Sequence, residues 1–204
     1  MTARTVHPIE AESYRILRSH LDTSTLPPYT RAVVERVIHA SADFDYAADL
    51  AADEAALAHA AAALADGAPI VADVEMVAAG ITRRDALCAI KDPAAPALAA
   101  DLGITRSAAA LRIAAGQAGP GAVYVIGCAP TALFELIAIA EQARPALVIG
   151  LPVGFVGAAE SKAALRESGL PAVSNVSGKG GSAVAAAALN ALIYPDLLEE
   201  GTAS

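Results

Sequence analysis

The sequence predicts an α/β protein built on a parallel sheet, and residues 122 to 162 carry most of that prediction. Two short apolar runs, Val123 to Ile126 and Ala146 to Ile149, each end in a glycine. Their length and β-branched content are those of buried strands. Between them Ala132, Leu133, Leu136, Ile137 and Ile139 recur at helical spacing. Strand, helix and strand make a βαβ unit, whose crossover is long enough to return the second strand parallel to the first. Three further runs, Pro69 to Ala72, Ala86 to Ile90 and Pro171 to Val176, also read as strands. The loops at 127–131 and 150–157 lie where open parallel sheets bind ligands. Their small residues would let a bulky ligand approach the backbone.

Composition narrows the function classes. A chain of 204 residues is most simply one domain. Its N-terminal helices, residues 1–66, are expected to pack on an α/β core, residues 67–194. A hydrophobic content of 55% and a mean hydropathy of +0.48 approach membrane-protein values. Alanine inflates both, and no run of about 18 residues is apolar in the manner of a transmembrane helix. The opening MTARTVHPIEAES has no apolar core of a signal peptide. The expectation is a soluble cytoplasmic chain that engages no membrane. A net charge of −8 and a pI near 4.9 argue against nucleic acid held on a basic surface. Cys88 and Cys128 have apolar sequence neighbours and read as buried thiols, not a disulfide framework. No His/Cys pair has zinc-ligand spacing.

Along the chain, residues 8–22 read as a helix in which Ile9, Ser13, Ile16, Leu17 and His20 share an inward stripe. Ser13 is then either a core serine bonding back to its own helix or a polar group aimed at a site. Pro27 and Pro28 break the chain, and Thr30 can cap a second helix that buries Val33, Val34, Val37 and Ile38. His39 falls roughly opposite that stripe, near the helix end. It is either a solvated histidine or one whose protonated form is favoured by the helix terminus and by Asp43 and Asp45. Residues 46–66 read as one alanine-rich helix ending at Gly67. A short helix over DVEMVAAGI closes at Gly80, and Thr105 caps a helix through TRSAAALRIAA. Arg106 stands in the first turn of that helix, where the dipole mildly disfavours a cation. An anion bound there would resolve the anomaly; otherwise Arg106 is an exposed side chain of no consequence. A helix from Ala158 to Glu167 contains Glu160 and Lys162, a last helix follows Gly178, and the tail from Pro195 is polar.

Gly178-Lys179-Gly180-Gly181-Ser182, between a strand and a helix, is an arrangement that binds phosphate or carboxylate. Backbone N–H groups converge, and Lys179 adds a full charge. Gly178, Gly180 and Ala183 also fit G-x-G-x-x-A. That fingerprint belongs to a first βαβ unit with an acidic residue on the next strand, whereas only about twenty residues follow here and they hold no strand.

Seven blocks in order, IEAESYRILRS (9–19), RVIHAS (36–41), ADVEMVAAGI (72–81), TRSAAAL (105–111), GCAPTALFEL (127–136), PALVIGLPVGFVGAAESK (145–162) and GKGGSAVAAAALNAL (178–192), resemble the precorrin-8X methylmutase family nearly end to end. The resemblance implies a three-layer α/β/α, flavodoxin-like fold with a five-stranded parallel sheet and extra N-terminal helices, assembled as a homodimer. It implies His39 as the catalytic acid/base and Ser13 as a substrate contact; Arg106, Ser107, Thr131 and Lys179 are expected as further substrate-binding residues. Three departures stand out. Cys128 replaces an asparagine, Val176, Ser177 and Gly178 occupy an R-G-R position, and the loop after Gly80 is shortened.

The implied activity is an isomerase of cobalamin biosynthesis that moves a methyl group from C-11 to C-12 of a corrinoid macrocycle by a 1,5-sigmatropic shift. Such a shift needs no nucleophile, metal or redox cofactor, so no cofactor is expected. It needs the macrocycle held in its reactive tautomer, which a histidine titrating near neutral pH can help select. Because the chain is acidic and the substrate carries carboxylates, positive potential must be local, at Arg106, Lys179 and helix N-termini. The alternatives are a non-catalytic corrinoid carrier on the same fold and a nucleotide-binding enzyme using the glycine loop.

Overall fold

The computed structural model describes residues 7–194. Its strands are β1 (Leu50–Ala52), β2 (Ile70–Ala72), β3 (Val123–Ile126), β4 (Leu147–Gly150) and β5 (Ala172–Asn175), in one sheet of order β1-β5-β4-β3-β2. Its helices are α1 (Pro8–His20), α2 (Pro28–Ser41), α3 (Tyr46–Asp49), α4 (Glu54–Ala65), α5 (Glu75–Gly80), α6 (Ala95–Leu102), α7 (Arg106–Ala118), α8 (Pro130–Ala138), α9 (Ala140–Ala143), α10 (Ala158–Glu167) and α11 (Ser182–Ile193). Side chains alternate across the strands. Val123, Val125, Leu147, Ile149 and Val173 enter one core with α2, α4 and α11. Tyr124, Ile126 and Val148 enter a second core with α7, α8 and Leu165 of α10.

The sheet is mixed, which corrects the all-parallel expectation. β2 to β5 are parallel, but β1 runs antiparallel to β5, with Leu50 opposite Asn175 and Ala52 opposite Val173. The segment read as one helix over 46–66 is therefore α3, β1 and α4. Alanine's helix preference is worth less than about 1 kcal/mol per residue, and tertiary pairing overrides it. Asp53 restarts the helix, its carboxylate accepting the Ala56 N–H at 2.8 Å. The run Ala86 to Ile90 is not a strand. Only Leu87 joins the sheet, bridging Val71 through two 2.8 Å backbone hydrogen bonds to Ile70 and Ala72. The α6 helix, unread in the sequence, follows the Asp92-Pro93 turn.

Alanine has a packing role. The α11 helix is buried from Val184 to Leu192 and packs most extensively on α2, where small side chains let the two backbones approach. In the second core, the Tyr124 hydroxyl is buried without a hydrogen-bond partner, the only such side-chain atom among the described residues. Removing it removes an unmet desolvation cost, so Tyr124→Phe should stabilise the fold by about 1 kcal/mol. A thermal melt should rise by about 2–4 °C.

The helix α1 turns only part of its expected stripe inward: Leu17 is buried and Ser13 meets α2, but the face is rotated toward Tyr14. Tyr14 and Leu17 are buried, while Ile9 and Ile16 are 75% and 45% exposed. Ion pairs decide the docking. Glu35, buried on α2, accepts from Arg18 at 2.8 and 3.1 Å and from Arg31 at 3.0 Å, and is also bonded by Thr23. Arg36 donates to Glu10 at 2.6 Å. Nor does Thr30 cap α2. Its N–H and hydroxyl, with the Tyr29 N–H, donate to Glu54 of α4, whose carboxylate supplies the cap from outside the helix.

Burial alone would raise the Glu35 pKa, but the hydrogen bonds from Arg18, Thr23 and Arg31 outweigh it and hold the carboxyl below its ordinary value. The stability contributed by a depressed carboxylate is complete above the ordinary carboxylate range. It is lost as pH falls through the lowered folded value. Glu35→Gln should therefore flatten the acid limb of a stability-against-pH curve, and cost about 3 kcal/mol at neutral pH. Parallel urea titrations of both proteins from acid to neutral pH check this.

Candidate active site

The site is assembled where α1 crosses the end of α2. His39 lies half-buried in the last turn of α2. Its Nδ1 is 2.8 Å from Ser13 Oγ, and its ring stacks on Tyr14 with centroids 5.0 Å apart and planes 8° from parallel. Ser13 thus bonds across to the histidine, not back to its own helix. The Arg18–Glu35 and Arg36–Glu10 pairs set the register that brings the two residues together. Ala42, in left-handed conformation at φ 53°, then ends α2 and turns the chain toward Asp43 and Asp45.

Those two aspartates are engaged by the glycine loop. The Lys179 ammonium pairs with Asp43 at 2.8 Å and Asp45 at 2.6 Å, and lies 6.0 Å from the centre of the Tyr46 ring. Both carboxylates push the Lys179 pKa upward, Asp43 most strongly. The glycine loop therefore abuts the end of α2, but its lysine charge is already neutralised. Its amides are partly consumed as well: Lys179 N–H donates to Ser177 Oγ at 3.1 Å and Gly181 N–H to the Leu151 carbonyl at 2.9 Å. At Gly180, φ is +148° and a Cβ would sit 2.3 Å from the Leu151 carbonyl oxygen, so glycine is required by the close backbone approach.

The glycines ending β3 and β4 leave no opening for a ligand. A Cβ on Gly127 would meet Ala185 and Val77 at 2.9 Å, and one on Gly150 would meet Leu165 at 2.6 Å. Their smallness admits the protein's own helices, which corrects the expectation that these two positions open toward a ligand. The neighbouring 150–157 loop does present apolar surface: Val153, Phe155 and Val156 are all exposed.

Arg106, Ser107 and Thr131 form a second group, against the other face of the sheet. Thr105 caps α7 as expected, accepting the Ala108 N–H at 3.2 Å, and Arg106 is exposed at the first helical position. Thr131, in the first turn of α8, shares a 2.8 Å hydrogen bond with Thr105. Both threonines line a groove of about 590 Å³ that also includes Ile104 and Phe134.

Two residues not singled out in the sequence hold the loops. Asp73, buried at the end of β2, accepts the N–H groups of Gly127, Cys128 and Ala129 at 3.1, 2.8 and 2.8 Å. Burial raises its pKa, and the three donors only partly offset that. A lone acidic residue between an apolar strand and a helix is the signal that marks it. Lys162, fully buried on α10, donates to the Asn175 side chain at 2.8 Å and the Lys179 carbonyl at 2.6 Å. Its signal is a charge at a position that spaces with Ala158 and Leu165 on the inward stripe. Neither cysteine is fully buried, and Cys128 is exposed, against the expectation. Burial and then Asp73 raise the Cys128 pKa, so the thiol is not activated.

Fold and site define an α/β protein whose chemistry-bearing side chains gather beside the carboxyl ends of parallel strands, where open α/β sheets carry their ligands. No helix among the described residues is long and apolar enough to cross a membrane. The sequence model of precorrin-8X methylmutase matches residues 8–195. The chain is 42% identical over 199 residues to a precorrin-8X methylmutase of Sinorhizobium sp, covering 93% of this chain and 94% of that one. It is 42% identical over 199 residues to a cobalt-precorrin-8 methylmutase of Salmonella typhimurium, covering 91% and 93%. The solved structure of a precorrin-8x methyl mutase from Thermus thermophilus is similar at a TM-score of 0.82 and 35% identity, covering 97% of this chain and all of that one. The chain belongs to the precorrin-8X methylmutase family.

Proposed function

We propose that this protein is the isomerase that shifts a methyl group from C-11 to C-12 of precorrin-8X or its cobalt counterpart in cobalamin biosynthesis. The Ser13–His39 pair carries the reading: a hydroxyl 2.8 Å from Nδ1 fixes an imidazole at the end of α2, supported from the side by Tyr14. In this mechanism the Ser13 hydroxyl donates to Nδ1, which leaves the histidine proton on Nε2. That proton is shared with a ring nitrogen of the macrocycle and selects the tautomer from which the methyl group migrates. The protein's remaining task is to hold a large flat anion in one pose.

The exposed apolar residues Val153, Phe155 and Val156 offer a surface for the ring, and Arg106, Ser107, Thr131 and the glycine loop are assigned to its carboxylates. Sheet order supports a flavodoxin-like, three-layer reading: with the Leu87 bridge counted beside β2, the parallel segments run in that family's sequence, and β1 is an added edge. We further assign a homodimer in the cytoplasm. Ile9 and Ile16 give α1 an uncovered apolar face for a second copy. The carrier alternative is not favoured, because a carrier has no use for an oriented histidine. Mixing the protein with substrate tests the choice, since the shift changes the chromophore's conjugation. We expect the visible spectrum to change with turnover. A spectrum that shifts only in proportion to bound protein would identify a carrier.

A further inference from the structure

We propose that Lys162 is a positioning residue of the substrate site, acting through the 176–181 loop, and that its buried ammonium, not the Lys179 side chain, supplies the positive potential an anionic substrate meets there. The inference rests on the isomerase reading.

Geometry carries it. Lys162 is fully buried, and its Nζ reaches the Lys179 carbonyl at 2.6 Å and Asn175 Oδ1 at 2.8 Å. Asn175, also buried, donates from Nδ2 to the same carbonyl at 3.1 Å and to Asp49 Oδ2 at 2.7 Å. Asp49 in turn accepts the N–H groups of Val176 and Ser177 at 3.0 and 2.8 Å. Residues from α10, β5 and α3 therefore converge on one turn of backbone. A buried lysine is costly and uncommon, and an ion pair within salt-bridge distance would be the ordinary compensation. Lys162 is instead held by a carbonyl and an amide oxygen. Meanwhile the loop's own lysine is clamped by Asp43 and Asp45. In a chain of net charge −8, an ammonium left without a carboxylate contact retains its field, as does the neighbouring Arg166 guanidinium, which donates to Ser174 Oγ at 3.2 Å and the Asn175 carbonyl at 2.8 Å.

The ionisable groups around Lys162 are Asp49 on α3 and Arg166 on its own helix. Of the elements packed on α10, β5 carries no ionisable side chain, and Glu135 of α8 is paired with Arg112. Burial lowers the Lys162 pKa to about 8, with Asp49 opposing and Arg166 adding to the fall. The charge is thus present at neutral pH and lost just above it.

The test is kcat and KM for the methyl shift between about pH 6.5 and pH 9.5, in wild type, Lys162→Met and Asp49→Asn, with folding checked by thermal melts. In wild type we expect KM to rise roughly tenfold above the inflection, with kcat unchanged. Lys162→Met should start at the raised KM and show no inflection. Asp49→Asn should move the inflection to lower pH, because the carboxylate that favours the ammonium is gone. A wild-type KM that is flat across the range, a wild-type KM in folded Lys162→Met, or an unmoved inflection in Asp49→Asn each overturns the proposal. If Lys162→Met does not fold, the other two proteins decide. Absence of any product from wild type at neutral pH would instead overturn the isomerase reading, and this inference with it.

Discussion

His39→Ala is expected to lose about 10²- to 10⁴-fold in kcat for the methyl shift, the usual contribution of a positioned acid or base. Folding should survive. His39 is half-buried, and the Ser13 hydrogen bond and the Tyr14 ring contact that the variant gives up cost about 1 kcal/mol. Ser13→Ala removes the orienting bond but keeps the imidazole, so its loss in kcat should be smaller, about tenfold. The order of the two effects is informative. A hydroxyl that merely fastened α1 to α2 would change the melt and not the rate. Steady-state rates on both variants, with melts alongside, check the prediction. A wild-type rate in His39→Ala would remove the histidine from the chemistry.

Asp73→Ala should be the most destabilising single change at the sheet's carboxyl edge, by about 4 kcal/mol. One carboxylate satisfies three consecutive backbone donors, and leaving buried donors unmet costs about 1–3 kcal/mol each before the loop relaxes. That is a large share of a typical domain's total of about 5–15 kcal/mol. Asp73→Asn keeps an oxygen for the Cys128 and Ala129 N–H groups but turns an amide toward the Gly127 donor, so about half the loss is expected. Urea titrations report both values. An Asp73→Ala protein within about 1 kcal/mol of wild type would show that the 127–131 loop holds its shape without the carboxylate.

How much of this was legible in the sequence differs from element to element. The central βαβ unit was readable because its strands are buried on both faces, which leaves uninterrupted apolar runs. Leu50-Ala51-Ala52 carries no such signal: it is a strand only because β5 offers an open edge, a fact external to the segment. Ala86 to Ile90 erred in the other direction, apolar enough for a strand but meeting the sheet through Leu87 alone. On α1, apolar spacing found Leu17 but also pointed to Ile9 and Ile16, whereas the pairs with Glu35 and Arg36 bring Tyr14 inward beside Leu17. Pairing between charges distant in sequence is not written in local periodicity.

The site divides in the same way. Local pattern left Ser13 and His39 as ordinary residues, and only the ordered family blocks joined them. The structure sets them 2.8 Å apart across 26 positions of chain. Lys179 was visible as a charge in a glycine loop, but its neutralisation by Asp43 and Asp45 depends on α2 ending beside that loop. Lys162 could have been read, because a charge on an apolar stripe has to be explained by something buried.

The measurement that bears most directly on the central claim is a single-turnover reaction followed by carbon NMR, with substrate labelled at the migrating methyl group and protein in excess. In wild type the label should leave the C-11 position and appear at C-12, with the step slowed by about 10²-fold or more in His39→Ala. A label that stays at C-11 while the substrate is fully bound by wild-type protein would contradict that claim.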